Sequence, residues 1–218
     1  MTFKGKKIII TGGLGFIGSN LAQTLVEAEA ELILVDSLIP EYGGNLWNIE
    51  NIKDKIQINI SDVRDEHSMK YLVKGKDFLF NLAGQTSHID SMNNPHTDLE
   101  INAHSQLYIL EACRKYNKDI KIVFASTRQM YGVPQYLPVD EKHRLAPVAV
   151  NGINKMAGEY QIVPFPDDRK IIDIGDYYGD YRKIRSKLGW KPKISLDKGL
   201  ELTIEFYKKY GQYYWGDE

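Results

Sequence analysis

The chain has 218 residues, 43% of them hydrophobic and 26% charged, and carries a formal net charge of −1. This suits one good-sized domain, alone or with an appendage, and excludes a global electrostatic pull toward nucleic acid or a membrane surface. The apolar run in MTFKGKKIIITGG is too short for a secretory segment, and no stretch approaches the length of a membrane span. The expectation is a cytoplasmic chain whose single cysteine, Cys113, is a buried and inert thiol.

Residues 6–11 (KKIIIT) predict a buried strand, β-branched and ended by glycines. Phe16, Ile17, Leu21, Leu25 and Val26 fall at helical spacing, so residues 16–28 predict a helix. Further strands are expected at 31–36 (ELILVD), 55–60 (KIQINI), 77–81 (DFLFN) and 119–125 (DIKIVFA). One long helix is expected from Pro95, suited to a first turn, to Tyr116, and another from Asn151 to Tyr160, ended by Pro164 at the latest. Residues 162–181 have no clear period. A short helix then spans 181–188, stopped by Gly189, and a last one spans 195–210 with Ser195 as its cap. Its apolar stripe is Leu196, Leu200, Ile204 and Tyr207. Strand and helix alternating over short connections argue an α/β fold, a Rossmann-type doubly wound parallel sheet.

Between the first strand and first helix lies Thr11-Gly12-Gly13-Leu14-Gly15-Phe16-Ile17-Gly18. A pyrophosphate there meets helix N-terminal N–H groups and the positive end of the dipole, and a Cβ on the glycines would block its approach. Asp36 ends the second strand 18 residues beyond Gly18. A carboxylate at that place binds adenosine ribose hydroxyls and repels a 2′-phosphate, which favours NAD over NADP.

TGGxGFIG at residues 11–18 resembles the extended short-chain dehydrogenase/reductases, specifically the NAD-dependent nucleotide-sugar epimerases and dehydratases. Asp62-Val63, Asn81-Leu82-Ala83-Gly84, Asn102, Ser126-Thr127-x-x-x-Tyr131-Gly132, Pro138-x-x-Glu141 and Asn151-x-x-x-Lys155-x-x-x-Glu159 agree with the same family. So does the C-terminal stretch 183–192 with Leu188-Gly189-Trp190. The resemblance implies a cofactor site formed by Gly12, Gly15, Phe16, Ile17, Gly18, Asp36, Asp62, Val63, Leu82, Ala83, Gly84, Asn102 and Lys155. It implies catalysis by Thr127, polarising a keto oxygen, and by the residues at 151 and 155. It also implies a nucleotide-diphosphate sugar substrate and a homodimer. The domains expected are residues 1–161, binding NAD, and 162–218, a mainly helical remnant of a substrate lobe.

Two departures stand out. The family's catalytic tyrosine position holds Asn151, whose amide does not titrate and cannot take the hydroxyl proton that sugar oxidation releases. It can still orient substrate. The base is then Tyr131, Lys155 itself or a water held by Thr127, or else the chain is a degenerate NAD-binding module without turnover. Second, the sequence runs from the Lys155 helix directly into text resembling the family's late C-terminal region, skipping a strand and most of the substrate lobe.

Other features allow plainer readings. His96, Glu100 and His104 share a helix face, but the outer pair lies two turns apart, which fits a solvated or interface face better than a metal site. Arg128 either meets substrate phosphate or lies at the surface. The aromatic tail, Tyr207, Tyr210, Tyr213, Tyr214 and Trp215, is expected to pack rather than stack on a ligand.

Overall fold

The computed structural model describes residues 2–161 and 179–215. They divide into two compact units. The first comprises residues 2–133 and 144–161, and the second residues 134–143 and 179–215.

The first unit is built on five parallel strands: β1 (Lys7–Thr11), β2 (Glu31–Asp36), β3 (Gln57–Ile60), β4 (Phe78–Asn81) and β5 (Lys121–Phe124). Their order is β3-β2-β1-β4-β5. The strand alternation sorts the β1 isoleucines between two cores. Ile8 and Ile10 pack with Leu14, Ala22, Leu25 and Leu34 on one face, while Ile9 packs with Val35, Met69, Leu79 and Ile109 on the other. All three isoleucines are fully buried, which is why this run is continuously β-branched rather than alternating with polar residues.

Helix α1 (Phe16–Glu27) covers the first face. Helices α2 (Glu66–Leu72) and, later in the chain, α5 (Ser105–Tyr116) cover the second. Asp65 caps α2 by accepting the His67 amide at 2.9 Å, a signal present in the sequence although the expected elements did not include this helix. Two short helices precede α5, α3 (His88–Asn93) and α4 (Pro95–Leu99).

The long helix expected from Pro95 to Tyr116 is therefore not continuous. Between α4 and α5 the backbone widens into a π turn at Glu100–His104. Side chains in and beside the turn account for the widening. Ser105 Oγ donates to the Ile101 carbonyl at 2.6 Å and Gln106 Nε2 to the same oxygen at 3.4 Å. Asn102 points inward. Single π turns inside α-helices often mark functional sites.

A buried polar chain joins the end of β1 to α5. Thr11 Oγ1 donates to Asn81 Oδ1 at 2.7 Å and accepts the Leu82 and Ala83 amides at 3.1 and 3.2 Å. Asn81 Nδ2 donates to Gln106 Oε1, and Gln106 Nε2 donates to Ser105 Oγ at 3.0 Å. Helix α6 (Val150–Tyr160) completes the unit.

The second unit contains α7 (Arg182–Leu188), α8 (Leu196–Tyr210) and α9 (Gln212–Trp215), with a parallel bridge between Val139 and Gly179. Gly189 closes α7 at φ 67°, a left-handed conformation that glycine adopts without a Cβ penalty. Ser195 caps α8 through the Lys198 amide at 3.3 Å. The α8 stripe Leu196, Leu200 and Ile204 is exposed, while the tail tyrosines pack on one another around Phe206. Most of the patternless stretch, residues 162–178, lies outside the described residues, as does the Trp215 side chain. No described helix is long and apolar enough to cross a membrane.

Replacing Thr11 by valine keeps the shape but takes the hydroxyl from the Ala83 amide and Asn81 Oδ1, while the Leu82 amide keeps the Thr11 carbonyl. Urea denaturation is expected to show a loss of about 1–3 kcal/mol in the Thr11→Val variant.

Candidate active site at the sheet switch point

Ligands of open α/β sheets bind outside the carboxyl ends of the strands, where the strand order reverses. Here that point lies between β1 and β4. The glycine loop leaves β1 there, and each of its glycines answers a different demand. A Cβ on Gly12 (φ +66°) would lie 2.9 Å from the Ala83 nitrogen, one on Gly13 would lie 2.7 Å from Leu34 Cβ, and one on Gly18 would collide with the Gly12 carbonyl. Those three positions are fixed by the protein's own packing. Gly15 is not, since a Cβ there would meet only the Gly12 carbonyl at 3.4 Å. Gly15 is also the N-cap of α1 and provides no side-chain partner for the first helical amides. Phe16 and Ile17 stand 74% and 63% exposed beside it, an apolar floor that the protein does not itself cover. A cradle of free amides kept clear of side chains fits a pyrophosphate.

Asp36, at the end of β2, accepts the Leu14 amide on one oxygen and the Leu38 amide on the other, both at 3.0 Å. One backbone bond per oxygen leaves lone pairs for ligand hydroxyls. Asp62 follows β3 and is gripped by Arg64, Nε to Oδ1 at 2.9 Å and Nη2 to Oδ2 at 2.6 Å. Burial works against its charge, but the Arg64 hydrogen bonds outweigh that and hold the carboxyl below its usual range. Val63 is buried against Met69 and Leu79.

Leu82, Ala83 and Gly84 follow β4, and the Lys155 amine crosses from α6 to this end of the sheet. Its Nζ lies 3.4 Å from the Ala83 carbonyl and 3.3 Å from the Ala125 carbonyl beyond β5, over the Phe124 ring at 5.1 Å. Lys155 is 5% exposed, and burial pulls the amine down to about 8 although the nearby Asp98 acts to raise it. A Cβ on Gly84 would lie 2.5 Å from Lys155 Nζ and 2.9 Å from Asn102 Oδ1, so the amine and this buried, unpartnered oxygen converge on the same glycine. Thr127 is half-buried at the end of the β5 loop, its hydroxyl accepting the Gln129 amide at 3.3 Å as it caps the turn Arg128–Tyr131.

Asn151 is 3% exposed and turned inward. Its Nδ2 donates to the Gln85 carbonyl at 2.7 Å, to Gln85 Oε1 at 3.2 Å and to Asp98 Oδ2 at 3.2 Å. The same Asp98 oxygen accepts Asn102 Nδ2 at 3.0 Å, and the other accepts Asn154 Nδ2 at 2.7 Å. Asp98 is thus a fully buried hub joining α4, the π turn and α6. Sequence reasoning passed over Asp98, Gln85 and Asn154. Their only sequence signals are the i, i+4 spacing of Asp98 and Asn102 and the i, i+3 spacing of Asn151 and Asn154. Gln129, buried behind Gly152, hydrogen-bonds the exposed His88 ring, and neither residue was singled out.

Glu100 accepts from or pairs with His104 Nδ1 at 3.1 Å, and His104 packs on Tyr108, 4.5 Å between ring centroids. Among the described residues no three His, Cys, Asp or Glu side chains gather to hold a metal ion. Cys113 is buried and its thiol is pushed up to about 11, which keeps it unreactive at neutral pH.

The sequence model of the GDP-mannose 4,6-dehydratase family matches residues 9–174. The chain belongs to this family. It is an extended short-chain dehydrogenase/reductase, and its parallel sheet is the Rossmann-type sheet of nucleotide-sugar epimerases and dehydratases. A Methanocaldococcus jannaschii protein provisionally named a UDP-glucose 4-epimerase is 38% identical over 200 residues, 89% of this chain and 63% of that protein. The UDP-Glc/GlcNAc 4-epimerase of Campylobacter jejuni superposes with a TM-score of 0.67 at 28% identity, covering 72% of this chain and 48% of the other. The UDP-glucose 4-epimerase of Thermus thermophilus, in complex with NAD, gives 0.64 at 29% identity over 72% and 49%. The chain therefore spans less than two thirds of the length of the curated relatives it matches.

Removing the hub takes the acceptor from Asn154 Nδ2 and one bond each from Asn102 and Asn151, which keep their bonds to Gln85. The Asp98→Ala variant is expected to lose about 2–4 kcal/mol of stability, measured by urea denaturation.

Proposed function

We propose that the chain binds NAD and works on a nucleotide-diphosphate sugar by transient oxidation of a sugar hydroxyl, the route to epimerisation or dehydration. The observation that carries this reading is the Gly15 cradle, which the fold keeps open without needing it for packing, on the same sheet end as Lys155. In this reading Gly12, Gly15 and Gly18 with Phe16 and Ile17 receive the pyrophosphate. Asp36 holds the adenosine ribose, and Asp62 and Val63 meet the adenine. Leu82, Ala83, Gly84 and Asn102 line the nicotinamide half, with Lys155 on its ribose. When bound, NAD supplies the hydride acceptor. Thr127, at the end of the β5 loop, polarises the sugar oxygen. Asn151, spent on Gln85 and Asp98, has the part of holding α6 against the Gln85 segment rather than of touching substrate. The exposed Leu99 and Leu107 on α4 and α5 suit the homodimer face that the family resemblance implies.

A second reading, an NAD-binding module without turnover, rests on Asn151 facing inward at the position of the family's catalytic tyrosine. The two part on mixing with UDP-sugars. The enzyme develops the near-ultraviolet absorbance of reduced nicotinamide, and the module does not.

Calorimetric titration is expected to show NAD binding at least about tenfold tighter than NADP, because the 2′-phosphate meets the Asp36 carboxylate. In Asp36→Asn the gap narrows. Equal affinities in the parent chain would remove the assignment of Asp36. The absence of binding by either dinucleotide would remove the whole reading.

A further inference from the structure

We propose that Lys155 is the proton acceptor for the sugar hydroxyl, the part that a tyrosine at position 151 cannot play here. The inference rests on the nicotinamide-dependent reading above and adds to it the group that moves the proton.

Tyr131, at the end of the Arg128–Tyr131 turn, is the rival base, and unchanged reduction in the Lys155 variants is the outcome that favours it. The Asn151 amide does not titrate, and its hydrogens are committed to Gln85 and Asp98. Thr127 offers a hydroxyl, which polarises an oxygen but does not take up a further proton near neutral pH. The exposed His88 ring has Nε2 in a hydrogen bond with Gln129. Lys155 differs from all of these. Among the described residues it forms no ion pair, and its only hydrogen bonds are the two long ones to the Ala83 and Ala125 carbonyls, at the ends of β4 and β5 beside the switch point. Those carbonyls accept from a neutral amine as well as from an ammonium, so the site can hold either state. Desolvation brings the amine to about 8, where proton uptake and release are both accessible near neutral pH. Titratable side chains stand on every element packed against α6: His88 and Asp90, His96 and Asp98, Glu100 and His104, Arg128 and Tyr131. Of these only Asp98 acts on the Lys155 proton, and it raises the affinity less than burial lowers it.

In the step itself the hydroxyl proton passes to neutral Lys155 Nζ, forming the ammonium. The carbon-bound hydrogen leaves with its electron pair to the nicotinamide of the bound dinucleotide, which is reduced as the carbinol becomes a ketone. Reversal on the opposite face of the ketone returns the hydride to carbon and the proton from Nζ to oxygen. The neutral amine is the competent form, so the rate falls as pH drops through the Lys155 value.

The test begins with NMR of the NAD-loaded chain carrying carbon-13 at lysine Cε. One resonance, absent in Lys155→Met, is expected to titrate near pH 8, well below the roughly 10.4 of a solvated lysine. A Lys155 resonance that titrates with the others overturns the proposal without recourse to activity. Lys155→Arg keeps charge and hydrogen bonds but cannot release a proton. It is expected to bind NAD within about tenfold of the parent, yet to reduce it with UDP-glucose or UDP-galactose about a hundredfold or more slowly. Methylamine is expected to restore part of that rate in Lys155→Ala. Unchanged reduction in Lys155→Arg, with the same acid limb, overturns the proton role and leaves the NAD reading standing. Failure of the parent chain to reduce NAD with either sugar nucleotide removes the function proposed above, and this inference with it.

Discussion

The site depends on one buried carboxyl group. Asp98 accepts amide hydrogens from Asn102, Asn151 and Asn154, and so ties α4, the π turn and α6 into a single block. These bonds, one of them to the sole acceptor of Asn154 Nδ2 and all made at a fully buried carboxyl group, would be lost if the helices shifted, so the helices hold one relative placement. That placement carries Lys155 to the ends of β4 and β5. It also sets Asn102 Oδ1 beside Gly84, where a side chain would meet both. The π turn belongs to the same constraint, since it forms where Asn102 reaches inward to the Gln85 carbonyl and to Asp98.

A second constraint comes from β1. Its three buried isoleucines take part in both cores, and its last residue, Thr11, fixes the Leu82 and Ala83 amides and Asn81. The glycine loop therefore starts from a strand whose last four residues are fully buried. The polar chain through Asn81, Gln106 and Ser105 reaches the π turn, so the glycine loop and the Lys155 neighbourhood share one buried hydrogen-bonded framework.

All five strands were legible as short apolar or β-branched runs between turns, β1, β2 and β4 because they are largely buried and the more exposed β3 and β5 through their isoleucine and valine residues. Helix ends were legible where a cap or a left-handed glycine marks them, as at Ser195 and Gly189. The break of the Pro95–Tyr116 helix was not, because its cause is a side chain bonding to a loop 17 residues away. Helix α2 was missed despite its Asp65 cap, since seven residues give too little period to read.

The sequence by itself determined the parallel α/β sheet and the glycine loop with Asp36 at its proper distance, because each is encoded in local spacing, and placed a non-titrating asparagine at residue 151, where the family resemblance implies a tyrosine. Only the tertiary structure decided that Asn151 turns into the protein, that Asp98 binds three amides, and that Lys155 is buried between two strand ends. Those facts follow from helices meeting across tens of residues, and solvent exclusion, which sets the character of the lysine, exists only once they have met.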